Sequence, residues 1–499
     1  MPVDYALEAK LSYLSWLAAE DRAAEEFVRT LRDYAAGEHP TYLTDRQKEF
    51  LGLKAKKADH LYAHNLCQLV IDAVVERLEV TGFNTVDETL TSPLIDAAAQ
   101  WWEANRMDAG QDRIYETACR DGESYLIVDW DDVNKTPRWT LNERFDGTQG
   151  VRLYRDPNTN TVLFAAKRWQ IYDPYDKALN GRTRMTLYFP DRVEKYISTQ
   201  TNDLRPMKGY LGEIIQFTRW QQWRDSANEP WPIPWQASDG EPLGCAVIAF
   251  ENPGGSEINQ LLPIQDMLNK SDLDLIAASD TSGFRILFAA GVDALIGSDG
   301  QEVALQVGPG QLIRMSDPQA KLGAIEPVDL ERVISASKYW IESAAGITRT
   351  PQYLFQTQGA DQPSGESLKM QEVGLTHKAE RRQRVWGNCW EDVIYLSAKL
   401  HNLFASPQLA PVKIQAQWVD PQLPTDPIAE EAAKAEARKA NVEAGLPLRL
   451  VLQREGWSDE ELKEFDAQVA AEAERQRATL AESMLRAQRQ FDAGQMEGD

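Results

Sequence analysis

Apolar residues return at helical spacing towards both ends of this chain and gather into short β-rich runs between them. Leu11, Leu14, Leu17 and Ala18, followed by Phe27, Val28 and Leu31, line one face of a helix that should end near Gly37-Glu38-His39-Pro40. Thr44-Asp45-Arg46-Gln47 has capping-box spacing. The run from Asn65 to Leu78 that follows is more apolar than one helix face needs, so it is expected deep in a core or against a neighbouring subunit, before a turn at Gly82-Phe83. Trp101-Trp102 and a helix reaching Cys119 lead into a turn at Gly122 and a strand through Val128. Further strands are expected over Val162 to Ala166, Arg184 to Phe189, Lys195 to Ile197, Glu213 to Thr218 and Cys245 to Phe250. Clusters of Asp, Asn, Gly and Pro separate them, a spacing that describes an antiparallel sheet.

After Asn252-Pro253-Gly254-Gly255-Ser256 the helical period returns with Leu262, Ile264, Leu268, Leu275 and Ile276, and Pro263 opens or kinks that helix. A compact insert interrupts it, with strands expected over Phe284 to Ala289, Glu302 to Val307 and Gln311 to Met315. Helix resumes near Leu330, where Val333, Ile334, Ser337, Trp340 and Ile341 keep one face. Gly346 and Pro351 are each expected to stop a helix, and the polar stretch from Gln356 to Gln362 offers little that can be buried, so it reads as an exposed loop. From Ser364 to about Phe404 there is no proline. Leu368, Leu375, Val385, Trp386, Cys389, Val393, Leu396 and Leu400 supply an apolar stripe there, which predicts one helix several times the usual globular length. Beyond Pro421 to Pro427 the chain becomes Ala/Glu/Lys-rich helix, breaks at Gly445-Leu446-Pro447, restarts at the capping box Ser458 to Glu461, and ends in a polar acidic tail expected to lack order. The pattern as a whole is α+β, predominantly helical.

At 499 residues the chain is too long for one compact core. It has no apolar run of membrane-spanning length, and no basic and apolar leader at its start. Cys67, Cys119, Cys245 and Cys389 are far apart and lie beside apolar residues, so they read as buried thiols. His60 and His64 stand at helical spacing, but no third ligand accompanies them, and no metal or cofactor is expected. The acidic residues around Asp129, Asp131 and Asp132 read as turn carboxylates. Trp220, Trp223, Trp231 and Trp235, set among prolines, read as pins for a long loop, with Arg219 and Arg224 offset by Asp225 and Glu229. Nucleotide-binding P-loop, zinc-protease and nucleophile-elbow motifs are missing, and the Gly308-Pro309-Gly310 turn does not continue into a dinucleotide fingerprint; no catalytic residues are expected. The net charge of −24 disfavours a protein that grips nucleic acid by neutralising phosphates, and disfavours a DNA conduit much less, since strong cationic contacts would impede sliding.

Several short pieces then stand in a telling order: Tyr34 with Gly37 and His39-Pro40; Asn65 with Val70-Ile71-Asp72; Trp101 to Asp108; Gly122-Glu123-Ser124; Arg184 to Pro190; Pro263 to Asp266 with Asn269-Lys270; Thr350-Pro351 with Tyr353-Leu354; and Pro363 to Glu366 with Leu368-Lys369. In that order the chain resembles the portal proteins of tailed double-stranded DNA phages, in the group similar to portals of Gram-positive siphophages and common in phages of actinobacteria. The resemblance implies a portal fold: a wing over 1–255, a first stem helix over 256–282, a small α/β clip over 283–328 and a second stem helix over 329–346. A tunnel loop over 347–363, a long wing helix with its following segment over 364–424, and a crown with a flexible acidic tail over 425–499 complete it. It further implies a dodecameric ring at one capsid vertex of the virion, built in the host cytoplasm. That ring would work with major capsid protein and scaffold, the terminase large subunit and head-completion or adaptor proteins, and would pass double-stranded DNA without reading its sequence, with no membrane involved. The channel candidates are Arg332, Lys338, Arg349, Gln352, Gln356 and Gln358; each cation is equally readable as a surface ion-pair partner. The rival readings are a cytoplasmic enzyme or an interaction scaffold that forms no ring.

Overall fold

The computed structural model describes residues 26–40, 64–85, 92–173, 175–201, 220–283, 287–290, 321–324, 329–355 and 365–422, with a few isolated positions beyond. The chain divides into two units, Met1–Gln422 and Leu423–Asp499. In the second, the described positions Arg438, Leu448, Val451, Leu452 and Phe465 are helical, and Val451 and Leu452 are buried.

The first unit is mixed α+β, so the expected predominance of helix holds only in part. After a helical stretch over 26–35, the described helices are α1 (Leu66–Val75), α2 (Pro93–Ala104), α3 (Met107–Asp121), α4 (Leu262–Gly283), α5 (Leu330–Thr348) and α6 (Gly365–Phe404). Asn65, Ser92 and Asp329 cap α1, α2 and α5 by accepting from backbone N–H groups of the first turn. Among the described residues every pairing between strands is antiparallel, as the spacing of the β-rich runs predicts. β10 (Val247–Glu251), β2 (Glu123–Asp131) and β3 (Thr136–Glu143) form a sheet in that order. A larger sheet runs β4 (Gly150–Arg155), β5 (Val162–Gln170), β6 (Arg182–Tyr188), β7 (Arg192–Thr201), β8 (Trp220–Gln222), with β9 (Ile233–Pro234) also on β7.

Two expected features change. Residues around Gly82 form β1 (Val80–Thr85) rather than a turn, because they pair with β13 (Ile414–Trp418), and Gly82 sits at the shift in register. Gly346 lies inside α5; the helix ends three residues later, where Arg349 takes the left-handed conformation at φ 53°. In the insert between α4 and α5, β11 (Leu287–Ala290) pairs with β12 (Lys321–Ala324), a strand absent from the pattern reading. The strands expected over 213–218, 302–307 and 311–315 lie outside the described residues, as do the N-terminal face from Leu11 to Ala18, the Thr44 capping box and the acidic tail.

The spine of the unit is α6, a single helix of 40 residues, as its unbroken stripe predicts. Trp386 stacks flat on Tyr115 at 5.1 Å and donates its indole N–H to the Glu251 carbonyl at 2.9 Å. One turn on, Trp390 packs against Trp102 and Phe250 and donates to the Tyr115 hydroxyl at 2.8 Å. Both tryptophans are fully buried. Val385, placed on this stripe by its spacing, is instead exposed, and Cys389 is half-buried. Among the described residues the four cysteines are free thiols, and burial pushes Cys67 and Cys389 up to about 12, well out of the reactive range.

Candidate functional site

Residues that are remote in sequence meet where α4 begins. Tyr34 donates to Asp266 at 2.6 Å, His39 Nδ1 lies 2.9 Å from the Asn269 amide, and the Leu66 N–H donates to Gln265 at 2.9 Å, while Gln265 in turn donates to Asn269 and to the His64 carbonyl. A buried polar cluster of this kind is stable only when its members are partnered, so it fixes the first turns of α4 against the helical stretch 26–35 and α1. His64 is thereby committed as well: it bonds Asp272 at 2.7 Å, and that bond raises its pKa. Asp272 also accepts from Ser337 of α5 at 3.1 Å, where α4 and α5 pack side by side.

The far end of α5 abuts the first third of α6, and here the charge pattern of an acidic chain reverses. A cleft of about 610 Å³ is bounded by the turn 253–257, the end of α5 and one side of α6. Its cations are Arg349, Lys378, Arg381, Arg382 and Arg384; its one carboxylate is Glu257. Gly254 and Gly255 both have positive φ, which lets the chain double back tightly at the rim. Behind it, Gly122 closes α3 at φ 88°, with the Ser256 nitrogen only 3.2 Å from where a Cβ would stand.

Inside the cleft, Glu257 accepts from Lys378 at 2.5 Å, from Asn252 at 2.9 Å and from Arg382. Lys378 also donates to the Thr348 carbonyl at 2.8 Å, placing a cation on the unsatisfied carbonyls that end α5. Burial pushes the Lys378 ammonium down to about 8, with Cys119 opposing the shift and the Arg349 guanidinium adding to it. The inner layer is thus charge-paired. The outer layer is not: Arg349, Arg381 and Arg384 are exposed and make no ion pair among the described residues. The turn after Arg349 is anchored from below, since the Tyr353 hydroxyl donates to Glu372, which Arg77 also holds at 2.7 Å.

A second cleft, of about 490 Å³, lies between the sheets and holds Trp130, Trp169 and Trp235. Both of its cations are paired within it: Asp225 takes Arg184 at 2.8 Å and Lys195 at 2.6 Å, and Glu229 takes Lys195 at 2.6 Å. Those contacts, with burial opposing them, hold the Asp225 carboxyl down at about 2. Asp225 and Glu229 therefore serve Arg184 and Lys195, not Arg224 as their proximity in sequence suggests. The tryptophans pin the loop as expected: Trp231 donates to the Lys195 carbonyl, Trp235 to the Gly244 carbonyl and Trp223 to Asp225. Asp131 is a turn carboxylate, accepting from Val133 and Asn134.

Of the four channel candidates among the described residues, Arg349 alone enters the basic cleft. Arg332, exposed near the start of α5, pairs with Asp329 at 3.2 Å, and lies about 25 Å from Arg349 at 1.5 Å per residue. Lys338 is exposed six residues on from Arg332, about 240° round the helix, so the two do not share a face. Gln352 donates to Glu342 at 3.5 Å, and Gln356 and Gln358 lie outside the described residues. Arg381 and Arg384 were not anticipated, although His377-Lys378-Ala379-Glu380-Arg381-Arg382-Gln383-Arg384 is a dense basic run for so acidic a chain.

Replacing Arg349 by glycine should separate its two roles. Glycine occupies the left-handed helix end without the Cβ penalty, so R349G is expected to hold or raise stability by up to about 1 kcal/mol while removing the cation, as read by thermal unfolding. A fall of more than about 1 kcal/mol would show that the side chain itself holds the turn.

Among the described residues no helix is long and apolar enough to cross a membrane. The sequence model of the phage portal proteins, SPP1 Gp6-like, matches residues 28–477. The portal protein of Mycobacterium phage L5 is 22% identical over 465 residues, covering 88% of each chain. The portal protein of Mycobacterium phage D29 is 23% identical over 451 residues, covering 86% of this chain and 84% of that one.

Proposed function

Because this chain belongs to the SPP1 Gp6-like phage portal proteins, a family of structural virion components rather than enzymes, we propose that it closes a dodecameric ring around a channel for the phage genome. The carrying observation is the match itself, which runs through nearly the whole chain in one order. The arrangement of α4, β11–β12 and α5, two packed helices joined through a small β element, supports reading them as a stem that bears a clip. On this reading the part up to about residue 255, together with α6, is the wing, residues 347–363 are the tunnel loop, and the segment beyond 425 is the crown. The ring would dock the terminase large subunit, stand in a shell of capsid protein and scaffold, and later hold head-completion proteins. DNA would pass along α5 and the tunnel loop by sparse contacts to its backbone, with Arg332, Lys338, Arg349, Gln352, Gln356 and Gln358 as the candidates and the motor supplying the energy.

Negative-stain electron microscopy of the purified protein, paired with light scattering for mass, tests this reading. Rings with an axial hole and a dodecameric mass are expected. A stable dimer without a channel would overturn it in favour of a scaffold or enzyme.

A further inference from the structure

The exposed side of α6 over its first five turns is one continuous stripe. Met370, Val373, His377, Arg381 and Arg384 follow each other at three- and four-residue steps and are all exposed, Met370 at 74% and Val373 at 46%. Ile347, 50% exposed at the end of α5, extends the apolar part into the basic cleft. His377 is the one member with a partner of its own, Glu380 at 3.1 Å.

Two features say what chemistry would cover this surface. The first is its composition: arginine and methionine are enriched at protein interfaces, where planar guanidinium groups meet carboxylates, and the exposed Val373 and Ile347 beside them add apolar surface that would exclude water. A phosphate backbone would satisfy the arginines but gives Met370, Val373 and Ile347 nothing to pack against. The second is charge. Copies of a chain that carries −24 repel one another, and the places where they can touch are those where cations gather. The same subunit offers carboxylates in kind. Glu79 and Asp112 are exposed and Glu116 is half-buried, burial and then the neighbouring Glu79 and Glu116 charges raise the Asp112 carboxyl, and none of the three makes an ion pair among the described residues.

We infer that the stripe Met370–Arg384 of α6, with Ile347 and Arg349 beside it, is the surface on which one subunit receives the acidic face of a second copy of this chain. Resting on the ring reading above, this locates a heterologous contact of the kind that closes rings: cationic and apolar on one subunit, carboxylate-bearing on the next.

The test is R381E/R384E in the full-length chain, compared with the wild type by sedimentation and electron microscopy at matched concentrations, with R381K/R384K as the charge-preserving control. Both arginines are exposed, so thermal unfolding should be nearly unchanged, and that measurement certifies the fold. The expected result is at least a tenfold lower ring fraction for R381E/R384E, with R381K/R384K close to wild type. If R381E/R384E forms rings as readily as the wild type, the inference fails while the ring reading stands. If those rings also lose affinity for a short DNA duplex in fluorescence anisotropy, the stripe serves nucleic acid instead. A wild type that forms no ring overturns the ring reading, and this inference with it.

Discussion

Exchanging Glu257 for glutamine is expected to cost about 3–5 kcal/mol of stability, because it leaves two buried cations without their counter-charge. Glu257 is 7% exposed and Arg382 3%, so water replaces little of what the carboxylate provides. The Lys378 ammonium, 14% exposed, would keep the Thr348 carbonyl but lose its only carboxylate among the described contacts. The urea midpoint of E257Q should fall with the slope of the transition preserved. Replacing the whole group, as in E257Q/K378M/R382M, should recover much of the loss, since a buried ion cluster is far cheaper to remove entire than to break. A shift below about 0.5 kcal/mol in E257Q would mean that the cluster is hydrated in solution and does not hold α5 to α6.

Trp386→Ala is expected to cost about 3–5 kcal/mol, the range for removing a buried aromatic side chain from a close-packed core. The indole fills the space between α3 and β10, stacked on Tyr115 and bonded to the Glu251 carbonyl, and neighbours fixed by their own helices and strands cannot collapse into the gap. Trp386→Phe separates the two contributions. It keeps a ring for the stack and loses the N–H, so it should cost about 1–2 kcal/mol, the penalty for one orphaned buried carbonyl together with a small cavity. Near-UV circular dichroism with chemical denaturation reads both variants. Equal costs for Ala and Phe would assign the stabilisation to the hydrogen bond alone.

The long helix was legible because nothing in Ser364 to Phe404 interrupts it and its apolar residues hold one register for the whole length. The helix end at Arg349 was not, because glycine is the residue that favours the left-handed end, and Gly346 advertised a stop three residues too soon. The strand at Val80–Thr85 was hidden by distance: its partner among the described strands is β13, and Gly82, which relaxes the register, looks in isolation like a turn. The basic cleft was half-visible. Its arginines form a run that charge patterning can find, but the carboxylate that sorts them into an inner paired layer and an outer free one comes from the turn 253–257, more than a hundred residues away. Likewise, the pairing of Asp225 and Glu229 with Lys195 and Arg184 follows from sheet register, which proximity in sequence does not carry.

The pairing of Val80–Thr85 with Ile414–Trp418 also sets a schedule for the nascent chain. At roughly 5–20 residues per second of synthesis, the first strand emerges from the ribosome on the order of 15–70 seconds before its partner exists. Through that interval its edge is open, and the spine helix that buries the central tryptophans has not yet been translated. A product truncated ahead of residue 414 retains that open edge permanently. Premature termination ahead of this strand is therefore marked by the fold itself, and the first strand is closed only once translation has passed Trp418.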